Sequence, residues 1–180
     1  YIILFGEMDK IDVVIIGAGI AGIASAYYLQ KKFPNNTFRI IESRSSAGGT
    51  WDQMKFPGVR ADNDMYTCGF SFDPWKGPMI GSGNSIRSYL NQVTEKFNIK
   101  KHISFNTEVK SLTWKDNKWI IETNRKNFTS QFVICSTGSR DRKNPHLPKF
   151  KNEKKYQGKI VHTQAWGDTD CKNKDVTIIG

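Results

Sequence analysis

Cysteine is scarce in this chain, with three residues among 180. Cys68, Cys135 and Cys171 lie far apart, and an odd number of scattered thiols excludes a disulfide framework and offers no cluster of metal ligands. We therefore predict no metal site. The same pattern is typical of proteins in a reducing compartment, so a cytoplasmic protein is expected.

The sequence also lacks an uninterrupted apolar run long enough to cross a membrane. Its longest apolar stretch, residues 11–29, is interrupted by Asp12 and by glycines, so no transmembrane segment is predicted. The opening YIILF has neither a basic region nor a cleavage site and is not a secretory signal. Residues 1–8 are interpreted as a leader or a disordered segment.

Acidic residues are in the minority, 17 against 27 lysines and arginines, which gives a formal charge of +10. Eight of the basic residues fall between Arg140 and Lys159. A charge run of this kind is usually a solvated loop face. The alternative is a landing site for an anionic cofactor or a nucleic acid. No nucleic-acid-binding motif accompanies the run, and we predict no nucleic-acid partner.

The residues that are present predict a folded α/β protein, since 38% of them are hydrophobic. An apolar run at 11–17 predicts a buried parallel strand, helical spacing follows at 20–33, and 37–43 predicts a second strand. Together they form the start of a βαβ unit. The opening word DVVIIG at 12–17 recurs as DVTIIG at 175–180.

The middle of the chain alternates irregular and periodic segments. Residues 43–83 have little periodicity and are either a misassigned element or a functional loop. A helix is predicted over 84–98, capped by Asn84 or Ser85, with a buried stripe of Ile86, Leu90, Val93 and Phe97. Short β segments with a hairpin turn at 115–118 follow, over residues 103–106, 107–115, 118–124 and 127–135.

The strongest local motif is GAGIAG at 17–22, a G-x-G-x-x-G that follows a predicted strand and opens a predicted helix. An acid, Glu42, ends the next strand twenty residues after Gly22. This context is typical of a dinucleotide-binding loop, whereas the glycine pattern alone is weak. The alternative is a glycine-rich turn used only for packing.

Each part of the motif has a physical task. Gly17 permits the tight turn, Gly19 lets a pyrophosphate approach the main chain, and Gly22 allows close packing of helix and strand. The helix N-terminus offers unpaired N–H groups to the phosphates. Glu42 accepts hydrogen bonds from a ribose 2′-hydroxyl and would repel a 2′-phosphate, so this site is predicted to hold FAD or NAD rather than NADP.

Two longer stretches make a family resemblance specific. GGTWDQMKFPGVRADNDMYTCGFSFDPW at 48–75 resembles the flavin loop of Baeyer–Villiger monooxygenases, which are class B flavoprotein monooxygenases. YQGKIVHTQAW at 156–166 resembles the linker fingerprint F-x-G-x-x-x-H-x-x-x-W of that family, with Tyr156 in place of Phe and Gly167 in place of the usual Pro or Asp. Together with the two segments DVVIIG and DVTIIG, the resemblance covers nearly all of residues 9–180.

The resemblance implies a Rossmann-like α/β fold with three layers, in which a parallel sheet is joined by a small antiparallel β segment. It divides the chain into an FAD-binding domain at 9–139, a linker at 140–174, and the first strand of a truncated NADPH-binding domain at 175–180. In this family the linker histidine, here His162, shapes the hinge between domains, so a direct chemical role is not expected.

The family roles carry over to matching positions. The resemblance implies that one carboxylate, Asp62, is catalytic and orients the reacting groups. Ser136-Thr137-Gly138 stands at the turn between the two cofactor domains. The implied cofactor contacts are Gly17, Gly19, Ala21 and Gly22 on the FAD pyrophosphate, Glu42 on its ribose, Thr50, Trp51, Asp52 and Gln53 beside the flavin, Arg60 and Asp62 between flavin and nicotinamide, Tyr66 near the isoalloxazine, and the Val109 main chain at the adenine.

The implied activity uses FAD, NADPH and dioxygen. NADPH reduces FAD, a C4a-peroxyflavin forms, and a ketone becomes an ester or lactone. An oxygenase of nitrogen or sulfur, such as a sulfide, is one alternative, and a non-catalytic truncated remnant is another. A disulfide reductase is excluded because Trp51 stands where the first cysteine of its dithiol would be. Residues 1–180 alone are predicted to bind FAD weakly or not at all and to be inactive. Oligomeric state is not predicted.

Overall fold

A computed structural model describes residues 8–139 and 145–179. In chain order a strand, a helix and a strand are followed by three helices and then by four strands, with short 3-10 helices at 100–102, 153–155 and 163–165. The strands and α-helices are β1 (Asp9–Ile16), α1 (Ile20–Lys32), β2 (Phe38–Ile41), α2 (Thr50–Gln53), α3 (Met65–Cys68), α4 (Gly83–Lys96), β3 (Ile103–Ser104), β4 (Val109–Lys115), β5 (Lys118–Thr123) and β6 (Phe128–Cys135).

The strands form one mixed sheet in the order β3-β2-β1-β6-β5-β4. Strands β3, β2, β1 and β6 are mutually parallel, and β5 and β4 continue the sheet in antiparallel pairing. This confirms the predicted α/β fold with a parallel sheet and a small antiparallel segment. The central position of β1 explains its continuous apolar run, because both of its faces are covered.

Two apolar cores lie on opposite faces of the sheet. On one face α1 and α4 cover Val13, Ile15 and Ile40. On the other face Val14 and Ile41 pack with residues of β5 and β6, together with the partly buried Val109 of β4. The helices form one layer against the sheet, and the hairpin strands β4 and β5 belong to the sheet itself, so the predicted third layer stays a prediction.

The helix-side core is incomplete over β6. This strand lies between β1 and β5, and its Phe132 is the register partner of Val13. Paired side chains share a face of a sheet, yet Phe132 is 67% exposed while Val13 is buried. The described residues thus leave an apolar side chain uncovered on an interior strand.

Helix α4 begins one residue earlier than predicted, and its cap was assigned wrongly. Ser82, rather than Asn84 or Ser85, is the N-cap, and its hydroxyl accepts from the N–H of Ser85. A Cβ on Gly83 would lie 2.7 Å from a side-chain carbon of Val59, so a larger residue at the first helical position would require Val59 to shift. Of the predicted stripe, Ile86, Leu90 and Val93 are buried, whereas Phe97 is the half-buried C-cap.

The predicted hairpin turn is confirmed. Lys115 and Lys118 are paired across β4 and β5, and both residues between them, Asp116 and Asn117, have positive φ. Two consecutive left-handed residues are what a type I′ turn requires, and Asn and Asp tolerate that conformation best after glycine.

The irregular region 43–83 contains α2 and α3 and is held down by aromatic side chains. The Tyr89 hydroxyl donates to the carbonyl of Asp73 at 2.6 Å and accepts from the N–H of Phe70 at 2.8 Å. Trp75 is buried, and its indole N–H donates to Pro78. These contacts order a stretch that lacks periodicity.

Residues 145–179 contain no strand, so the predicted strand at 175–180 is not formed over its described part, 175–179. Val176, Ile178 and Ile179 are exposed there and lack neighbouring strands to pair with. Their assignment to a second domain stays a prediction. The described part of the basic run, 145–159, is almost entirely exposed, as a solvated face requires, whereas residues 1–7, 140–144 and 180 lie outside the described residues.

All three cysteines are free in the structure. Among the described residues no group of histidine, cysteine or acidic side chains has the arrangement of a metal site. None of the helices in the described ranges has both the length and the apolar character needed to cross a membrane.

Candidate dinucleotide-binding site

The glycine loop joins β1 to α1 at the carboxyl end of the sheet. Gly17 has a φ of 104°, and a Cβ there would lie 2.5 Å from the carbonyl oxygen of Ser136. A Cβ on Gly22 would lie 1.9 Å from the carbonyl oxygen of Gly17. Both glycines are thus required by main-chain approach within the fold, in agreement with the turn and packing tasks expected of them.

Gly19 differs from these two glycines. A Cβ there would meet only the Cα of Gly49, at an ordinary 3.5 Å. Gly19 is also the N-cap of α1, with no side chain capping the helix and no acid in its first turn. The N–H groups of this turn therefore remain available to an anion, and the helix dipole favours one there. Ala21 lies exposed in the same turn.

Glu42 follows β2 and is 2% exposed. One carboxylate oxygen accepts from the N–H of Ala18 at 2.8 Å, and the other accepts from the N–H of Arg44 at 2.9 Å. These bonds stabilise a buried charge that would otherwise be costly. The structure therefore brings the predicted ribose acid directly against the glycine loop.

The GGTW segment crosses the same loop. The N–H of Gly48 donates to the carbonyl of Ala18 at 2.9 Å, and Gly48 and Gly49 both have positive φ before α2 begins at Thr50. Trp51 packs against the helix-side core, while Thr50 is exposed. Helix α2, which ends at Gln53, is thus tied to the glycine loop.

Asp52, which is expected beside the flavin, forms ion pairs within the protein. Its carboxylate pairs with the guanidinium groups of Arg44 and, at 3.6 Å, Arg87 of α4. The Nε of Arg44 is buried and has no acceptor within the described ranges. Sequence reasoning missed both arginines; the only local signal was the position of Arg44 two residues after Glu42. The cleft around Asp52 and Arg87 has a volume of about 430 Å³.

Arg60, Asp62 and Tyr66 form a separate group before α4, with Arg60 and Asp62 on the loop and Tyr66 in α3. Arg60 forms an isolated bridge with Ser82, and Asp62 and Tyr66 are exposed. No ion pair or side-chain hydrogen bond joins Arg60 or Asp62 to the glycine loop in the described part of the chain. The structure does not bring these residues into contact with Glu42.

The remaining predicted residues, Val109 and Ser136, lie at different places along the sheet. The N–H of Thr107 donates to the Glu42 carbonyl at 2.9 Å, and Val109 begins β4 two residues later, packed against the second core. Ser136 follows β6 and donates to the carbonyl of Ile16 at 2.8 Å.

The linker fingerprint forms a local turn. His162 Nδ1 accepts from the N–H of Gln164 at 3.1 Å and caps the short helix over residues 163–165. The Trp166 ring lies 6.4 Å, centroid to centroid, from Phe56 in the flavin-loop segment. These contacts support a structural task for the histidine.

A sequence profile for the family described as pyridine nucleotide-disulphide oxidoreductase matches residues 14–180. The chain belongs to this family. Its relatives include the FAD-containing monooxygenase EthA of Mycolicibacterium smegmatis and the probable FAD-binding monooxygenase AlmA of Acinetobacter baylyi. Each is 38% identical over 96% of this chain, which spans 37% of their length.

Solved members of similar fold are Baeyer–Villiger monooxygenases, and the resemblance first read from the flavin loop and linker is confirmed. A cyclohexanone monooxygenase bound to cyclohexanone superposes with a TM-score of 0.77 at 25% identity, covering 91% of this chain and 32% of that one. A steroid monooxygenase bound to NADP gives 0.74 at 28% identity, covering 88% and 32%. Within this pyridine nucleotide-disulphide family, the chain is therefore similar to the flavin monooxygenases.

Proposed function

We propose that the chain is the FAD-binding part of an NADPH- and O2-dependent Baeyer–Villiger monooxygenase, which converts ketones into esters or lactones. One contact carries the proposal. A carboxylate oxygen of Glu42 accepts a hydrogen bond of 2.8 Å from the main-chain N–H of Ala18, the residue between Gly17 and Gly19. An acid at this point accepts ribose hydroxyls in dinucleotide-binding folds. A structurally similar enzyme, OTEMO, forms a complex with FAD and NADP, which supports the choice of cofactors.

The residues of the loop fit the adenosine diphosphate half of FAD. Helix α1 begins without a side-chain cap, and the space above Gly19 is closed only by Gly49. The buried Nε of Arg44 lacks an acceptor among the described residues, and a ligand oxygen or nitrogen would satisfy it. When bound, the flavin supplies hydride chemistry with NADPH and the activation of dioxygen.

The chain itself binds and orients. We assign the α1 N-terminus to the pyrophosphate, Glu42 to the ribose, and α2 to the flavin side. Trp51 is anchored in the core and therefore holds α2 in place. The assigned contacts are Gly17, Gly19, Ala21, Gly22, Glu42, Thr50, Trp51, Asp52, Gln53, Arg60, Tyr66 and Val109.

Asp62 is the residue we propose to act closest to the reacting groups. Its carboxylate is exposed, and no ion pair among the described residues occupies it. It is therefore free to accept a hydrogen bond from a group between flavin and nicotinamide. Residues 140–174 would then be the linker to an NADPH-binding domain that begins at 175.

The experiment uses the protein made from the complete reading frame that contains this chain. We expect bound FAD by absorbance, NADPH oxidation coupled to O2 uptake, and an ester or lactone from a cyclic ketone with one oxygen atom derived from 18O2. Asp62→Ala should retain FAD and lose most of the product. Failure to bind FAD would overturn the proposal, and a product from a sulfide or amine alone would assign the nitrogen or sulfur oxygenase instead.

A further inference from the structure

The segments around the glycine loop are joined by a continuous path of contacts. Glu42 touches the loop through Ala18 and touches Arg44 through the main-chain N–H of that residue. The side chain of Arg44 then reaches Asp52 in the first turn of α2. Two separate groups assigned to FAD, the ribose acid and the flavin-side helix, are therefore linked by one arginine.

Arg44 is itself held firmly. Its carbonyl accepts from the N–H of Asn106 at 2.9 Å, its side chain is 22% exposed, and its Nε is buried. The Asp52 end is equally constrained, because a Cβ on Gly48 would already lie 3.1 Å from the Asp52 Cβ. A partly buried arginine–carboxylate pair of this kind fixes direction as well as distance, because the guanidinium group is planar.

The single carboxylate of Asp52 faces two guanidinium groups. Asp52 carries one negative charge and meets both Arg44 and Arg87. Arg87 approaches at 3.6 Å with a side chain 39% exposed, so solvent screens it. Arg44 is thus the partner that couples Asp52 to the ribose acid, while Arg87 anchors Asp52 to α4.

We propose that Arg44 is a positioning residue that keeps Glu42 and α2 in register, so that the two halves of one FAD molecule meet their binding groups together. The inference rests on the proposed function. Removing the Arg44 side chain leaves the Glu42 bonds to both main-chain N–H groups intact, so the adenosine end keeps its acid. Helix α2 then has no side-chain link to Glu42. We therefore expect weaker binding of ligands that contact both Glu42 and α2.

The test measures dissociation constants of FAD and of ADP for the apoprotein made from the complete reading frame. For Arg44→Ala we expect FAD to bind about tenfold more weakly, as loss of one charged pair implies, and ADP to change by less than about threefold. Arg44→Lys should recover part of the FAD loss, because it keeps the charge and loses the fork. Arg87→Ala is the matched control and should change FAD affinity by less than about threefold.

A double-mutant cycle of Arg44→Ala and Asp52→Ala shows whether the pair acts as a unit. We expect the double variant to lose about as much FAD affinity as Asp52→Ala alone, because Asp52→Ala already breaks the tether and also removes an assigned FAD contact. Urea unfolding of each apoprotein reports the fold separately.

Equal losses for ADP and FAD, multiplicative losses in the cycle, or unchanged FAD affinity would each overturn the proposal. If the parent protein binds ADP or NAD but no FAD, the proposed function fails, and this inference fails with it. If the parent binds FAD and Arg44→Ala binds it equally well, the inference alone fails.

Discussion

The carboxylate of Glu42 accepts a hydrogen bond of 2.8 Å from the main-chain N–H of Ala18, across 24 positions of sequence. This bond fixes the end of β2 against the loop that follows β1. It links the acid at the end of β2 to the glycine loop.

Glu42→Ala should impair both stability and nucleotide binding. The substitution leaves the N–H groups of Ala18 and Arg44 without acceptors in a buried place, which costs about 1–3 kcal/mol in the free energy of unfolding. FAD affinity should fall by at least about tenfold, since the ribose loses its acceptor as well. Urea unfolding and FAD titration measure the two effects, and an unchanged FAD affinity would contradict the ribose assignment.

Gly22→Ala and Gly19→Ala should behave in opposite ways. The added Cβ at Gly22 lies 1.9 Å from the carbonyl oxygen of Gly17, so α1 must move off the sheet and the domain should fail to fold stably. At Gly19 the Cβ makes an ordinary contact, so the melting temperature should change little while FAD binding is lost through blocked approach of the pyrophosphate. Circular dichroism and FAD titration separate the two outcomes. A Gly19→Ala variant that binds FAD normally would contradict the loop's assignment.

His102 should make stability depend on pH. Burial against Phe38, at a ring distance of 4.4 Å, lowers the pKa of His102, and the charges of Lys101 and Arg39 lower it further. The unfolded chain therefore takes up a proton near its ordinary pKa of about 6.5 that the folded chain resists. Above that pH His102 is neutral in both the folded and the unfolded chain, so it does not reduce the free energy of unfolding. The free energy of unfolding should then fall as pH drops through the folded pKa.

Urea unfolding between about pH 5 and pH 7.5 measures this dependence. His102→Gln should flatten the curve in this range, while His146→Gln, at an exposed position, should leave it unchanged. Equal curves for the parent and His102→Gln would contradict the prediction.

Residues 1–180 produced alone should bind FAD weakly or not at all and show no NADPH-dependent oxygenation. Phe132 is 67% exposed on an interior strand, and Ile178 and Ile179 are exposed as well. Uncovered apolar surface of this kind favours association. Gel filtration and flavin absorbance of the purified segment are the measurements, and stoichiometric yellow flavin on a monomer would contradict the prediction.

Local signals predicted the parts of the fold that local chemistry determines. The apolar run before Gly17 predicted β1, and the residues at 115–118 predicted a turn that needs two left-handed residues. The cap of α4 was missed because it depends on Gly83 fitting beneath Val59, a contact between segments 24 positions apart.

The ion pairs of Asp52 were missed for a similar reason. Its partners come from the loop after β2 and from α4, and no periodicity connects them. The acid itself was found by resemblance, but its neighbours depend on how α2 is seated. Glu42 was predictable because strand end, spacing and residue type agree in one motif.

The carbonyl of Ser136 occupies the space where a side chain on residue 17 would stand, and Ser136 precedes the linker by four positions. The backbone that follows β6 therefore lies directly against the Gly17 turn. If the proposed NADPH-binding domain follows the linker, we expect a displacement of the chain after Ser136 to reach the glycine loop first.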